Sequence, residues 1–139
     1  MNILVIDAQG GGLGKQLITA LKKNFPDMDI TAVGTNTMAT GVMLKAGASH
    51  AATGENAVVV GCRKADIIIG PLAIVIADSM FGEITPAMAL AVAQSNAKRI
   101  LIPFNHCDNI VVGIHDYNVT SLIQEAIDEL TKTLPPRQP

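Results

Sequence analysis

Apolar residues follow two rhythms along this chain. Ile3 to Ile6 is a continuous run rich in β-branched side chains, broken by Gly10 to Gly14, and a run of that kind predicts a strand buried on both faces. Asp29 to Val33, closed by Gly34-Thr35-Asn36, reads as a second strand. Ala51 to Thr53, Asp66 to Gly70, Arg99 to Phe104 and Ile110 to His115 read as further ones. Between them the period changes to that of a helix. Leu13, Leu17, Ile18, Leu21 and Phe25 fall on one helical face, with Lys15, Gln16, Lys22 and Lys23 opposite, until Pro26 ends the run. Thr37 to Ala46 is stopped by Gly47, and Glu55 to Ala65 carries an acid at its start and Arg63 and Lys64 at its end, matching the helix dipole. Thr85 followed by Pro86 is a cap and first-turn pair that opens a helix through Ser95. A closing helix is expected from the stripe Val119, Leu122, Ile123, Ala126, Ile127, Leu130 and Leu134, with Gln124, Glu125, Asp128 and Glu129 facing outward. The apolar stretch Leu72 to Ala77, in the long connection to Glu83, is compatible with an extended segment, but no periodicity places it.

Strands alternating with helices imply parallel pairing through right-handed crossovers. The expectation is α/β: one Rossmann-like domain over residues 1–134, an open doubly wound parallel sheet with helices on both faces, and a disordered tail from Pro135 to Pro139. Composition agrees. The 139 residues are 49% apolar but only 3% aromatic, with no Trp, so the interior must be aliphatic, which favours covered sheets over a sandwich.

Formal charge is −2, and the ten basic residues form no stripe with interleaved aromatics, which argues against nucleic-acid binding. The N-terminal run meets Asp7 too early for a signal peptide, and the longest apolar stretch, Ile67 to Ala77, is interrupted by Gly70-Pro71. A membrane span needs roughly twenty apolar residues. The chain therefore reads as cytoplasmic, with Cys62 and Cys107 as reduced thiols. A mean hydropathy of +0.37 is high for this length and suggests a homo-oligomer such as a homodimer, with Leu72 to Phe81 covering a partner subunit.

The chemistry concentrates in Asp7-Ala8-Gln9-Gly10-Gly11-Gly12-Leu13-Gly14-Lys15, between the first strand and the first helix. Unpaired amides and the helix dipole attract anions at such a junction, and glycines let a ligand approach the main chain. Gly10, Gly11, Gly12 and Gly14 are the candidate amide donors, with Gln9, Lys15, Thr35 and Asn36 assisting. A flexible strand-to-helix turn is the bland alternative. Two phosphate templates compete. In G-x-G-x-x-G, Gly10 and Gly12 fit, but the last place falls on Lys15; a dehydrogenase-type G-x-x-x-G-x-G fits at Gly12 and Gly14, with Ala8 in the first place. In the P-loop template Gly14-Lys15 fits, but Gln9 replaces the first glycine and Gln16 the magnesium-binding hydroxyl, which disfavours nucleotide hydrolysis.

Dinucleotide folds commonly end their second strand on an acid for the ribose hydroxyls. Here Gly34-Thr35-Asn36-Thr37 has none, so NAD or NADP both remain open as cofactors, without an arginine to clamp a 2′-phosphate. Gln9, Asn36, Asp78, Ser79, Glu83, Asn105 and His106 all follow strands and are expected on one rim, where Asp78 and Glu83 would supply an acid and a base for a phosphorylated or carboxylated metabolite. His106-Cys107-Asp108 is half a zinc site at best, so no metal is expected. His50 and His115 read as turn and strand-end residues. The lone Tyr117 lacks the lysine partner of short-chain dehydrogenases, with Ser121 standing at the fourth position after it.

Taken together, Ile6-Asp7, Gln9 to Gly12, Gly14 to Leu17 and Gly34 to Asn36 resemble the start of a short bacterial family classed as a domain of unknown function. Ala52 to Ala57, Asp66 to Pro71 and Gly82 to Ala89 resemble its later blocks, so the likeness covers most of the chain. The resemblance implies a Rossmann-like fold and no established activity.

Overall fold

A computed structural model describes residues 1–104, 108–115 and 118–136. Five strands, β1 (Ile3–Asp7), β2 (Ile30–Gly34), β3 (His50–Thr53), β4 (Ile67–Pro71) and β5 (Lys98–Ile102), form one sheet in the order β3-β2-β1-β4-β5. Every pairing is parallel. The helices are α1 (Gly12–Asn24), α2 (Thr37–Lys45), α3 (Glu55–Lys64), α4 (Pro86–Gln94) and α5 (Val119–Thr133). The strand order is that of the first five places of the doubly wound dinucleotide fold.

Alternation along the central strands builds two cores. Ile3 and Val5 of β1 and Ile67 and Ile69 of β4 face Leu17, Leu21, Met43, Ile123 and Ile127, contributed by α1, α2 and α5. Leu4, Ile6 and Ile68 face the other way, against Val58 and Cys62 of α3 and Met88 and Val92 of α4. A strand with both faces covered has no polar side, which is why β1 and β4 read as unbroken apolar runs. The chain winds from β1 outward to β3, then returns to place β4 on the far side of β1. That reversal opens a crevice beyond the carboxyl ends of β1 and β4.

Side chains fix the helix starts: Asn36 accepts from the Ala39 amide, Thr85 from Met88 and Asn118 from Ser121. Two sequence expectations change. Leu72–Val75 is a turn of 3-10 helix, and Ala73, Ile74 and Met80 sit in this chain's own core. Part of the apolar character of Leu72 to Phe81 is therefore satisfied internally, while Leu72, Val75 and Ile76 are half-buried and Ala77 and Phe81 exposed. Ile110 to His115 is no strand: the sheet ends at β5, and Ile110 and Val112 lie open at 90% and 93% exposure. β propensity records a fit to a pleated, half-buried surface, and no neighbouring strand offers that segment one. The last three residues of the expected tail, 137–139, lie outside the described residues.

The two environments predict opposite responses to the same truncation. Ile69→Ala, at a fully buried position, should cost roughly 2–5 kcal/mol in urea unfolding, whereas Ile110→Ala should stay within about 0.5 kcal/mol of the parent. Equal losses at both positions would contradict this placement.

Candidate functional site at the carboxyl ends of the strands

Strand β1 ends on Asp7, whose side chain is 3% exposed. Its Oδ1 accepts from the Ala8 amide at 2.8 Å and its Oδ2 from the Gly14 amide at 2.7 Å. One buried carboxylate thus ties the strand end to the first turn of α1. Burial pushes the Asp7 pKa up, against the pull of the Gly14 and Ala8 amides, and the charge of Glu83 adds to the rise.

The glycines divide by task. Gly11 adopts φ 73°, and a Cβ there would meet Val42 Cγ2 at 2.5 Å and the Ala39 backbone at 2.8 Å, so its side of the turn is closed by α2. At Gly14 a Cβ would lie 2.6 Å from Met43 Sδ and 3.0 Å from Asp7 Cβ. Gly14 thus provides close packing of helix on strand, the third-glycine role of the dinucleotide fingerprint. Neither Gly11 nor Gly14 can offer its amide outward, because Gly11 donates to Ala8 O at 3.0 Å and Gly14 to Asp7. This corrects the expectation that all four glycines present donors. The Lys15 amide is also closed, donating to Gly11 O at 2.8 Å. Among the described residues the amides of Gly10, Gly12 and Leu13 have no partner. A Cβ at Gly10 or Gly12 would meet nothing within 4 Å. Sequence reasoning missed Leu13, because an amide donor carries no side-chain signature.

Glu83 reaches the same place from the β4–α4 connection. Its Oε1 accepts from the Gln9 amide at 2.9 Å, the Thr35 hydroxyl at 2.7 Å and Asn36 Nδ2 at 2.8 Å. Asn36 also donates to Gln9 O at 2.9 Å, while its Oδ1 caps α2. The glycine loop, the end of β2 and the β4–α4 connection therefore meet on one carboxylate oxygen. Partial burial raises the Glu83 pKa, but the donors Gln9, Thr35 and Asn36 outweigh it and hold the carboxyl below its usual range. Glu83 is thereby kept ionised, suited to accepting hydrogen bonds.

The connection that delivers Glu83 is tightly wound. Asp78, Met80, Phe81 and Gly82 all have positive φ, Ser79 Oγ donates to Ala73 O at 2.7 Å, and the Asp78 amide donates to Ile84 O at 2.7 Å. Asp78 itself is exposed, and its carboxylate makes no hydrogen bond with the Glu83 cluster. A cleft of about 170 Å³ lies over the glycine loop, bounded by Met80, Phe104 and Val119. Gln9, Gly10, Gly11, Gly12, Leu13 and Gln16 line it; Lys15 does not and points to solvent. Larger grooves exist between α3 and α4 and beside β5, away from this loop.

Asn105, His106, Cys107 and Tyr117 lie outside the described residues. Cys62 is buried in the core, and burial pushes its thiol up to about 11. His50 stands 3.5 Å from Asp29 on the surface. Among the described residues no cluster of His, Cys, Asp or Glu could hold a metal, and no helix is long and apolar enough to cross a membrane.

A five-stranded doubly wound sheet, with a glycine loop gathered over a buried aspartate at its switch point, defines a Rossmann-like α/β protein. Residues 2–135 match the family model described as a domain of unknown function (DUF3842), and the chain belongs to that family. No curated protein matches it. Among solved structures, a dodecameric FMN-dependent UbiX-like decarboxylase from Escherichia coli O157:H7 is similar over 94% of this chain and 95% of that one, at 15% identity and a TM-score of 0.48.

The depressed Glu83 pKa has a pH signature. A carboxyl whose folded pKa lies below its unfolded value, about 4.3 for Glu, stabilises the fold above that value and loses its contribution as pH falls through the folded one. Asp7, raised by burial, acts in the opposite sense: its ionisation weighs on the fold as pH rises above the unfolded Asp value of about 3.9. Urea unfolding should therefore show Glu83→Gln less stable than the parent by the widest margin near neutral pH, with the gap closing below about pH 4. A gap constant across that range would show that the charge of Glu83 is not what its donors hold.

Proposed function

We propose that this protein binds a nucleotide at the β1–β4 switch point, with a phosphate on the open amides of Gly10, Gly12 and Leu13 and a ribose hydroxyl on Glu83. The position of Glu83 carries the reading. Dinucleotide folds place an acid at the end of the second strand to take the ribose hydroxyls. Here β2 ends without one, and the β4–α4 connection brings a carboxylate to that spot, anchored on Thr35 and Asn36. Oε1 receives all the donors, leaving Oε2 without a partner among the described residues.

Charge sets the preference between cofactors. An ionised carboxylate beside the ribose attracts a hydroxyl and repels a 2′-phosphate, which favours an NAD-type ligand over an NADP-type one. Size supports a division of labour. Pockets that enclose a whole ligand run to about 300–1,000 Å³; a cleft of about 170 Å³ suits a phosphate group, with the nucleoside lying outward along the rim. Gln16, standing where a P-loop needs its magnesium-binding hydroxyl, argues for holding the phosphate without hydrolysing it.

A thermal-shift and calorimetry panel of NAD, NADP, ATP, GTP and FAD tests the reading. NAD should raise the melting temperature, by the equivalent of about 2.7 kcal/mol when present at a hundred times its Kd, and NADP should bind more weakly. Glu83→Gln should weaken NAD roughly tenfold, as expected for a lost charge-assisted hydrogen bond, and narrow its advantage over NADP. If no nucleotide in the panel shifts the transition, the proposal is wrong.

A further inference from the structure

Phe81 is the most exposed large apolar side chain of the described residues, at 101% of its reference area. Its φ of 58° is left-handed, a conformation that bulky residues adopt only at a steric cost. No packing contact of the ring offsets that cost. Yet its surroundings are ordered. The Gly82 amide donates to Asp78 O and Ser79 O at 3.2 Å each, Glu83 N donates to Met80 O at 3.2 Å and Ile84 N to Ser79 O at 3.3 Å. The turn therefore holds the ring out in solvent on a closed network of main-chain bonds.

Its neighbours in the chain locate that ring. Met80 is buried and lines the cleft over the glycine loop, while Glu83, two residues on, is bonded to Gln9. Consecutive Cα atoms are about 3.8 Å apart, so the Phe81 backbone lies beside that of the cleft-lining Met80 and two residues from Glu83, while the ring itself is outside the cleft lining. A second large apolar side chain, Met38, is 67% exposed two residues after Asn36, another member of the Glu83 cluster. A base carried by a ribose on Glu83 would need an apolar or aromatic partner, and Phe81 and Met38 are the exposed large apolar side chains nearest in the chain to the residues of that cluster.

We infer that Phe81 is the stacking platform for the base of the bound nucleotide, with Met38 as flanking apolar surface; this deepens, and rests on, the nucleotide reading above. Every base offers a flat π-face to an aromatic ring, and such stacking is tolerant of base identity. The ligand class is therefore a nucleoside diphosphate or its dinucleotide, recognised by base, ribose and phosphate together. Bare pyrophosphate would use only the glycine loop.

The test compares ADP with inorganic pyrophosphate by calorimetry in the parent, Phe81→Ala and Phe81→Trp proteins. ADP should bind the parent about five- to a hundredfold more tightly than pyrophosphate. Phe81→Ala should remove most of that advantage and leave pyrophosphate unchanged. Because the chain contains no Trp, Phe81→Trp adds a single fluorophore, whose emission ADP should quench while pyrophosphate does not. If pyrophosphate binds but ADP gains nothing and Phe81→Ala is silent, the stacking role is overturned while the phosphate site stands. If neither ligand binds the parent, the nucleotide reading itself fails, and the platform with it.

Discussion

The arrangement depends first on a buried carboxylate. Asp7 ends the central strand inside the protein, where an unpaired charge would be expensive, and it is tolerated because Ala8 and Gly14 donate main-chain bonds to its two oxygens. Those bonds fix the distance and angle between β1 and α1. With that junction set, Gly11 must turn in the left-handed region against α2, and Gly14 must lack a side chain to lie against Met43. The glycine loop is thus mostly a device for bringing a helix close to a strand. Its capacity for a ligand is what remains once the internal bonds are made: three amides rather than the whole arc.

A second carboxylate then joins elements that the first does not reach. Glu83 ties the β4–α4 connection to the loop after β1 and to the end of β2, so three separate loops share one oxygen. The two acids respond oppositely to their settings. Asp7 is dominated by burial, whereas Glu83, less buried and richly supplied with donors, is kept charged. In the proposed site, the ionised acid at the end of β2 and the open amides at the start of α1 would take the two polar ends of a nucleoside phosphate. Glu83 takes the Gln9 amide and leaves those of Gly10, Gly12 and Leu13 without a partner among the described residues.

Much of this was legible from residue order. The helix at Val119–Thr133 follows from its apolar stripe, and the start of α4 from Thr85-Pro86. The strand at Ile67–Pro71 follows from its uninterrupted run. Ile110 to His115 misled because three successive β-branched residues suit a strand only if a neighbour is there to pair with, and the sheet stops at β5. Leu72–Val75 was unreadable for a related reason: a single 3-10 turn is too short to show a period. Placing Gly10 to Gly14 at a strand-to-helix junction was correct, but which amides stay open depends on hydrogen bonds between residues that no spacing rule connects.

Local pattern by itself determined the α/β class and the order of the five strands and five helices, because burial and backbone geometry impose periods that can be read within ten or fifteen residues. Of the residues expected on one rim, Gln9, Asn36 and Glu83 meet, Asp78 does not join them, and Asn105 and His106 lie outside the described residues. Tertiary structure alone decided that a carboxylate from the β4–α4 connection, Glu83, would stand at the end of β2, 48 residues beyond Thr35. It also decided that Gly11 and Gly14 would turn their amides inward and that Phe81 would stand clear of the core. These outcomes depend on which loops the winding of the sheet brings side by side, and a carboxylate is held wherever enough donors converge in space, whatever their separation along the chain.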